Sequence, residues 1–340
     1  MNPVQGFLDQ IFSEETGVFE IVVTLPACLL AVIVVHEFGH LLAGLCVGFR
    51  LNSIHIGPLR FSPPSKFSFK IESKTGASGR VLMFPRKSDN LGTRALVFIV
   101  GGPLSNLLAG SLTILLFERN QLSNLFAGLS LLVGIGNLIP FRYLAAVSDG
   151  KRIAMILRNK AQGERWLAII RLGVDLKNSV QFKDLSPEFI ANAVAVKDDS
   201  PDTVVGHMYA YGVALDKNQL AEAAHLLETS LEFSAFVAPS VREALRSDAA
   251  VFLARKRKRI DLAEQWMAEI SAKPHYPGLQ LRVQAAILEA QGNIGGALNK
   301  LSELETEFRK IHVAYQREYS LRAMKEWREE LEKQEVGEHV

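Results

Sequence analysis

The sequence predicts a mainly α protein: a polytopic membrane core of about three transmembrane helices with a small β-hairpin or sheet insertion, followed by a cytosolic α-solenoid. Residues 21–49, 94–117 and 122–141 are apolar stretches, each reaching the about 20 residues a helix needs to cross a bilayer. The loop 50–93 between the first two alternates apolar and polar residues, as strands do. Beyond residue 200, helical runs recur at a near-constant interval. The chain therefore divides into an extracytoplasmic N-terminal segment (1–20), a membrane core (21–155), a linker with one helix (156–200) and a helical repeat domain (201–340).

The N-terminal segment carries Asp9, Glu14, Glu15 and Glu20 and no Lys or Arg, so no basic region marks a secretory signal. The loop after the first span holds Arg50, Arg60, Lys66, Lys70, Lys74, Arg80, Arg86, Lys87 and Arg94 against Glu72 and Asp89. Arg142, Lys151, Arg152, Arg158 and Lys160 follow the third span. This bias puts the N-terminus outside and the C-terminal domain in the cytoplasm of a multi-pass membrane protein. A net charge of +2 gives no reason to expect a nucleic-acid partner. Cys28 and Cys46 lie eighteen residues apart on one expected helix and imply no disulfide framework.

The first span reads IVVTLPACLLAVIVVHEFGHLLAGLCVGF. A charged residue at the centre of such a helix costs roughly 2.5–3.5 kcal/mol, so ionisable groups there point to function. His36 and His40 are four residues apart and share one helix face. That spacing lets two imidazoles bind one metal ion, with Glu37 placed to take a proton from a metal-bound water. HExxH on a helix is the zinc-hydrolase pattern.

A catalytic zinc takes a third protein ligand. The end of the third span reads NLIPFRYLAAVSDGKRI and offers Asp149, beyond an apolar helix that Pro140 breaks. Gly150 beside it permits a close backbone approach. Two roles fit Asp149 on the residues alone: a metal ligand, or the N-cap of a helix starting near Lys151.

HEFGH in an early span, GGPLSN (Gly102, Pro103, Asn106) in the next and an N-x-x-P…DG element at the third together resemble the site-2 protease family, zinc metalloproteases that cut within membranes. The resemblance covers about residues 20–155. It implies one Zn²⁺ held by His36, His40 and Asp149, and Glu37 as catalytic base. It also implies a substrate-binding role for Asn137, with Asn106 grouped beside it. The family element has four residues between its proline and aspartate; here FRYLAAVS places eight. The extra residues are expected to form a longer re-entrant turn, tolerable where it is buried or faces water. LNSIHIGPLRFS, KFSFKIES and SGRVLMFP read as short strands. The resemblance implies a small membrane-associated sheet near the active site, whose edge would hold a substrate extended. A solvated hairpin drawn to anionic lipids is the alternative.

In the C-terminal half, LAEAAHLLETSLE, IDLAEQWMAEIS and IGGALNKLSELE align at Ala223, Ala263 and Ala297, at offsets of 40 and 34 residues. The second offset is the tetratricopeptide period, and each motif follows another helical run. Such helix pairs stack into a solenoid with a concave binding face; an irregular helical bundle is the alternative. Residues 303–335 read as a charged capping helix or two. His55, His207, His225, His275, His312 and His339 show no ligand spacing. The expected protein is an intramembrane zinc endopeptidase of a bacterial cell membrane, acting on membrane-embedded protein or peptide substrates, with repeats that recruit substrate or a cytosolic regulator. An inactive membrane-anchored repeat scaffold and a zinc-dependent transporter or channel are the rivals. The intact HExxH speaks against the first. The second would show internal repeats across more spans.

Overall fold

The computed structural model describes residues 18–57, 59–61, 67–69, 79–86, 89–143, 146–158, 160–271, 276, 278–311 and 314–337. The acids Asp9, Glu14, Glu15 and Glu72, the bases Lys66, Lys70, Lys74 and Lys87, and His275, His312 and His339 lie outside the described residues. The chain forms two compact units, Met1–Leu167 and Ala168–Val340.

The first unit is built on α1 (Val18–Cys46), α2 (Leu91–Leu116) and α3 (Gln121–Leu138), all long and apolar enough to cross a membrane. Each packs against the other two. Asn120 starts α3 with a capping box: its side chain accepts from the Ser123 backbone N–H, and Ser123 Oγ accepts from that of Asn120. The usual arrangement of side chains is inverted here. Leu42, Leu112, Leu115 and Leu132 face outward, whereas His36, Glu37, His40, Asn106 and Ser130 are buried. Small residues let α1 and α2 approach closely. A Cβ on Gly39 would overlap Ser105 and the Gly101 carbonyl, so the helices meet backbone to backbone. Ser105 Oγ donates across this seam to the Val35 carbonyl at 2.9 Å.

Between α1 and α2 lies an antiparallel sheet of β1 (Phe49–Ile56), β2 (Leu59–Phe61), β3 (Phe67–Phe69) and β4 (Gly79–Pro85), in the order β3-β2-β1-β4. Its last strand therefore returns to pair with its first, Ile54 opposite Val81 and His55 opposite Arg80, and β4 is left as an edge. Both β1 and β4 pack on α1.

After α3 the chain makes a two-stranded hairpin, β5 (Arg142–Tyr143) and β6 (Ala146–Val147), then α4 (Asp149–Arg158) and α5 (Lys160–Lys177). The extra residues of the FRYLAAVS stretch are thus folded into paired strands.

In the second unit, α6 (Pro187–Val194) leads into the helix pairs α7 (Pro201–Asp216) with α8 (Leu220–Glu232), α9 (Pro239–Arg257) with α10 (Ile260–Ala268), and α11 (Leu279–Ala290) with α12 (Ile294–Arg309); α13 (Ala314–Gly337) packs on α12. Ala223, Ala263 and Ala297 are each fully buried, because a larger side chain at the repeating contact would hold the paired helices apart. The 156–200 stretch is more than a connector. Ala168, Leu172, Leu185 and Ala193 form a core with Tyr209 and Val213 of α7, so its second half belongs to the helical unit. At the other end Met324, Trp327 and Leu331 of α13 close the core over Val283, Leu301 and Leu304. The buried Glu289 carboxylate accepts from Arg255 Nε and Trp327 Nε1, both at 2.7 Å.

Candidate metal centre

His36 and His40 project from one face of α1, and Asp149 is brought to them as the first residue of α4. His36 Nε2 lies 3.1 Å from Asp149 Oδ2 and 3.2 Å from His40 Nε2, and His40 Nε2 lies 3.4 Å from the same carboxylate oxygen. Three ligand atoms of two elements therefore converge on one point, and the group can hold a metal ion. Both histidines are buried and Asp149 is nearly so.

The local structure explains why Asp149 is available. The N-cap of α4 is Ser148, whose Oγ accepts from the Lys151 backbone N–H at 3.1 Å. The same oxygen donates to the Ile139 carbonyl at 2.8 Å and accepts from the Phe141 backbone N–H at 3.0 Å. One hydroxyl thus closes the base of the β5–β6 hairpin and caps the following helix. Strands β5 and β6 pair and return the chain, so Asp149 emerges beside the end of α3. Gly150 makes this return feasible, since a Cβ there would collide with the Leu138 carbonyl. With the cap supplied by Ser148, the Asp149 carboxylate faces the histidines, and its charge at a helix N-terminus is favoured by the helix dipole.

The histidine rings are held from behind. His40 Nδ1–H donates to the Phe98 carbonyl at 2.9 Å, which leaves Nε2 with its lone pair toward the centre. His36 Nδ1 lies 3.2 Å from the Asn106 side-chain amide. Gly102 of α2 backs the His40 ring so closely that a Cβ would overlap it. Glu37 is buried beside the group, and Gly79 of β4 lies against its side chain.

Of the residues expected from sequence, His36, Glu37, His40 and Asp149 gather in one place, and Asn106 joins them from α2. Asn137 does not contact the group through any described hydrogen bond; its amide donates one turn back along α3 to the Val133 carbonyl at 3.1 Å. Gly102 and the β4 strand, both marked in the sequence, lie at the group, whereas Ser148 and the Phe98 carbonyl are contributors that the sequence reading did not single out. Only Ser148 left a local signal, a serine directly before a helix start. Comparison of the chain with family models, with curated proteins and with solved structures found no match.

Proposed function

We propose that the protein is an intramembrane zinc endopeptidase, similar in its site to the site-2 protease family. The observation that carries this reading is the triangle of ligand atoms. A tetrahedral zinc about 2.0–2.1 Å from nitrogen and carboxylate ligands holds them about 3.3–3.4 Å apart, close to the observed 3.1, 3.2 and 3.4 Å. Three protein ligands leave a fourth position for water, as in catalytic rather than structural zinc sites. When bound, zinc supplies Lewis-acid polarisation of a scissile carbonyl and acidifies the attacking water toward a pKa of about 7. Glu37 takes the proton from that water and later delivers it to the leaving amine. His36, His40 and Asp149 hold the ion, and the apolar helices around them exclude bulk water.

The outward-facing leucines of the first unit and its buried polar interior fit a bundle surrounded by lipid. The basic residues following α1 and α3 orient it with the N-terminus outside and the helical repeats in the cytoplasm of a bacterial membrane. A transmembrane substrate must be unwound before cleavage, because a helix engages its own peptide groups. The edge strand β4, lying against Glu37, is suited to pair with such a segment in extended form. The helix pairs of the second unit form a tetratricopeptide-like solenoid that recruits substrate or a cytosolic regulator.

The test is Glu37→Gln in the full-length protein reconstituted with a labelled transmembrane peptide. Zinc content should stay at the wild-type level while cleavage falls by the about 10²–10⁴-fold that a general base contributes. Cleavage near the wild-type rate would remove Glu37 from the mechanism. Zinc binding by wild type with no cleavage of any membrane segment would favour the inactive scaffold.

A further inference from the structure

The two histidines of the metal centre stand on the same helix but receive different support from α2. His40 has a backbone carbonyl, that of Phe98, behind its Nδ1. Among the described residues, His36 has the Asn106 side chain there, its amide nitrogen 3.2 Å from Nδ1. Asn106 is fully buried, and its Oδ1 has no hydrogen-bond partner among the described residues.

A histidine that binds metal through Nε2 must carry its proton on Nδ1, and that N–H needs an acceptor. An amide nitrogen cannot serve, because donor would face donor. A half-turn of the Asn106 amide exchanges its oxygen and nitrogen without moving any other atom. The oxygen then takes the 3.2 Å contact with Nδ1, where an acceptor is required, and the nitrogen takes the place the oxygen held. We propose that Asn106 is the positioning residue of His36: its amide oxygen accepts the Nδ1–H, fixes the ring's tautomer and orientation, and plays for His36 the part that the Phe98 carbonyl plays for His40. This rests on the reading that the centre holds a metal ion. It replaces the substrate-binding role that the family resemblance implies for Asn106. Full burial behind the ring, on the side away from Asp149, leaves no surface for a polypeptide to meet.

The experiment compares wild type, Asn106→Leu, Asn106→Ala and Asn106→Asp as full-length protein, stripped of metal and confirmed monodisperse. Zinc affinity is measured by competition with a chromophoric chelator, and the visible spectrum of the Co²⁺ form reports ligand geometry. Leu and Ala offer no acceptor and should lower affinity by the about 10–100-fold typical of a lost outer partner. Asp restores an acceptor and should bring back both affinity and the Co²⁺ spectrum. Should Leu prove too large for the helix seam and fail to fold, Ala carries the comparison. Unchanged affinity in Ala or Leu with a raised KM would overturn the proposal in favour of substrate contact. Equal loss in Ala and Asp would overturn it in favour of simple packing. A wild-type protein that takes up neither Zn²⁺ nor Co²⁺ would instead defeat the metal-site reading on which the proposal stands.

Discussion

Replacing Asp149 by alanine separates the ligand role from the helix-cap role that the sequence leaves open. The structure assigns the cap to Ser148, so the substitution removes a carboxylate from the metal centre and only a favourable charge from the first turn of α4. That charge is worth about 0.3–1 kcal/mol. Its removal should therefore cost the metal-free fold little. A direct ligand matters more than an outer partner, whose loss costs about 10–100-fold in affinity, so zinc should bind at least about 100-fold more weakly. The difference is measurable as stabilisation by zinc. At a zinc concentration 100 times its dissociation constant, wild type gains about 2.7 kcal/mol against unfolding. A 100-fold weaker variant at the same concentration gains only RT ln 2, about 0.4 kcal/mol. Thermal unfolding with and without zinc, alongside chelator competition, reads both quantities. If the variant loses about 0.5–2 kcal/mol without metal yet gains as much from zinc as wild type, Asp149 is a cap and the third ligand lies elsewhere.

Three further outcomes follow from the same contacts. Ser148→Ala removes the hydroxyl that serves Ile139, Phe141 and Lys151; it should cost at least the about 0.5–2 kcal/mol of a lost cap and weaken metal binding, because Asp149 loses its fixed approach. Wild-type affinity in that variant would show that the hairpin does not position Asp149. A fragment of residues 160–340 should be soluble, strongly helical by circular dichroism and cooperative in urea. One beginning at residue 202 should be markedly less stable, since it strips Leu172, Leu185 and Ala193 from Tyr209 and Val213; equal midpoints would show that α5 and α6 contribute nothing. In the longer fragment, Glu289→Ala leaves Arg255 and Trp327 Nε1 without their buried acceptor. It should destabilise by about 3 kcal/mol, the lower end for a broken buried pair because Arg255 keeps Glu330; a loss too small to measure would mean that water replaces the carboxylate.

What the sequence disclosed was whatever depends on short-range spacing. His36, Glu37 and His40 announce themselves because i,i+4 geometry is a property of any helix, and because their apolar surroundings make them conspicuous. Ala223, Ala263 and Ala297 were readable for the same reason, each being the fourth residue of the second helix in a pair. Asp149 was reached from the residues as either ligand or cap, and the resemblance alone favoured the ligand: a carboxylate followed by glycine looks the same whether it caps or ligates. What decides between them is where the β5–β6 hairpin returns the chain, and two-residue strands leave almost no periodicity. The pairing of β4 with β1 was likewise not legible, since alternation gives strands without their order. Asn106 appeared in a recognisable stretch, but its partner lies 70 residues earlier on another helix. The second half of the 156–200 stretch read as mixed because its apolar residues face a core completed only by α7.

The contact between His36 and Asp149 spans 113 residues, and that interval includes α2, α3 and the hairpin. The centre consequently has a birth date within synthesis. A chain still emerging from the ribosome has its two histidines in place long before the carboxylate exists, and the seam of α2 that supports both rings forms in between. Until the stretch ending at Asp149 has been made and folded back, the three candidate ligand atoms cannot meet. Order of manufacture thereby dates the group: the last of its three members to be translated is the one that completes it.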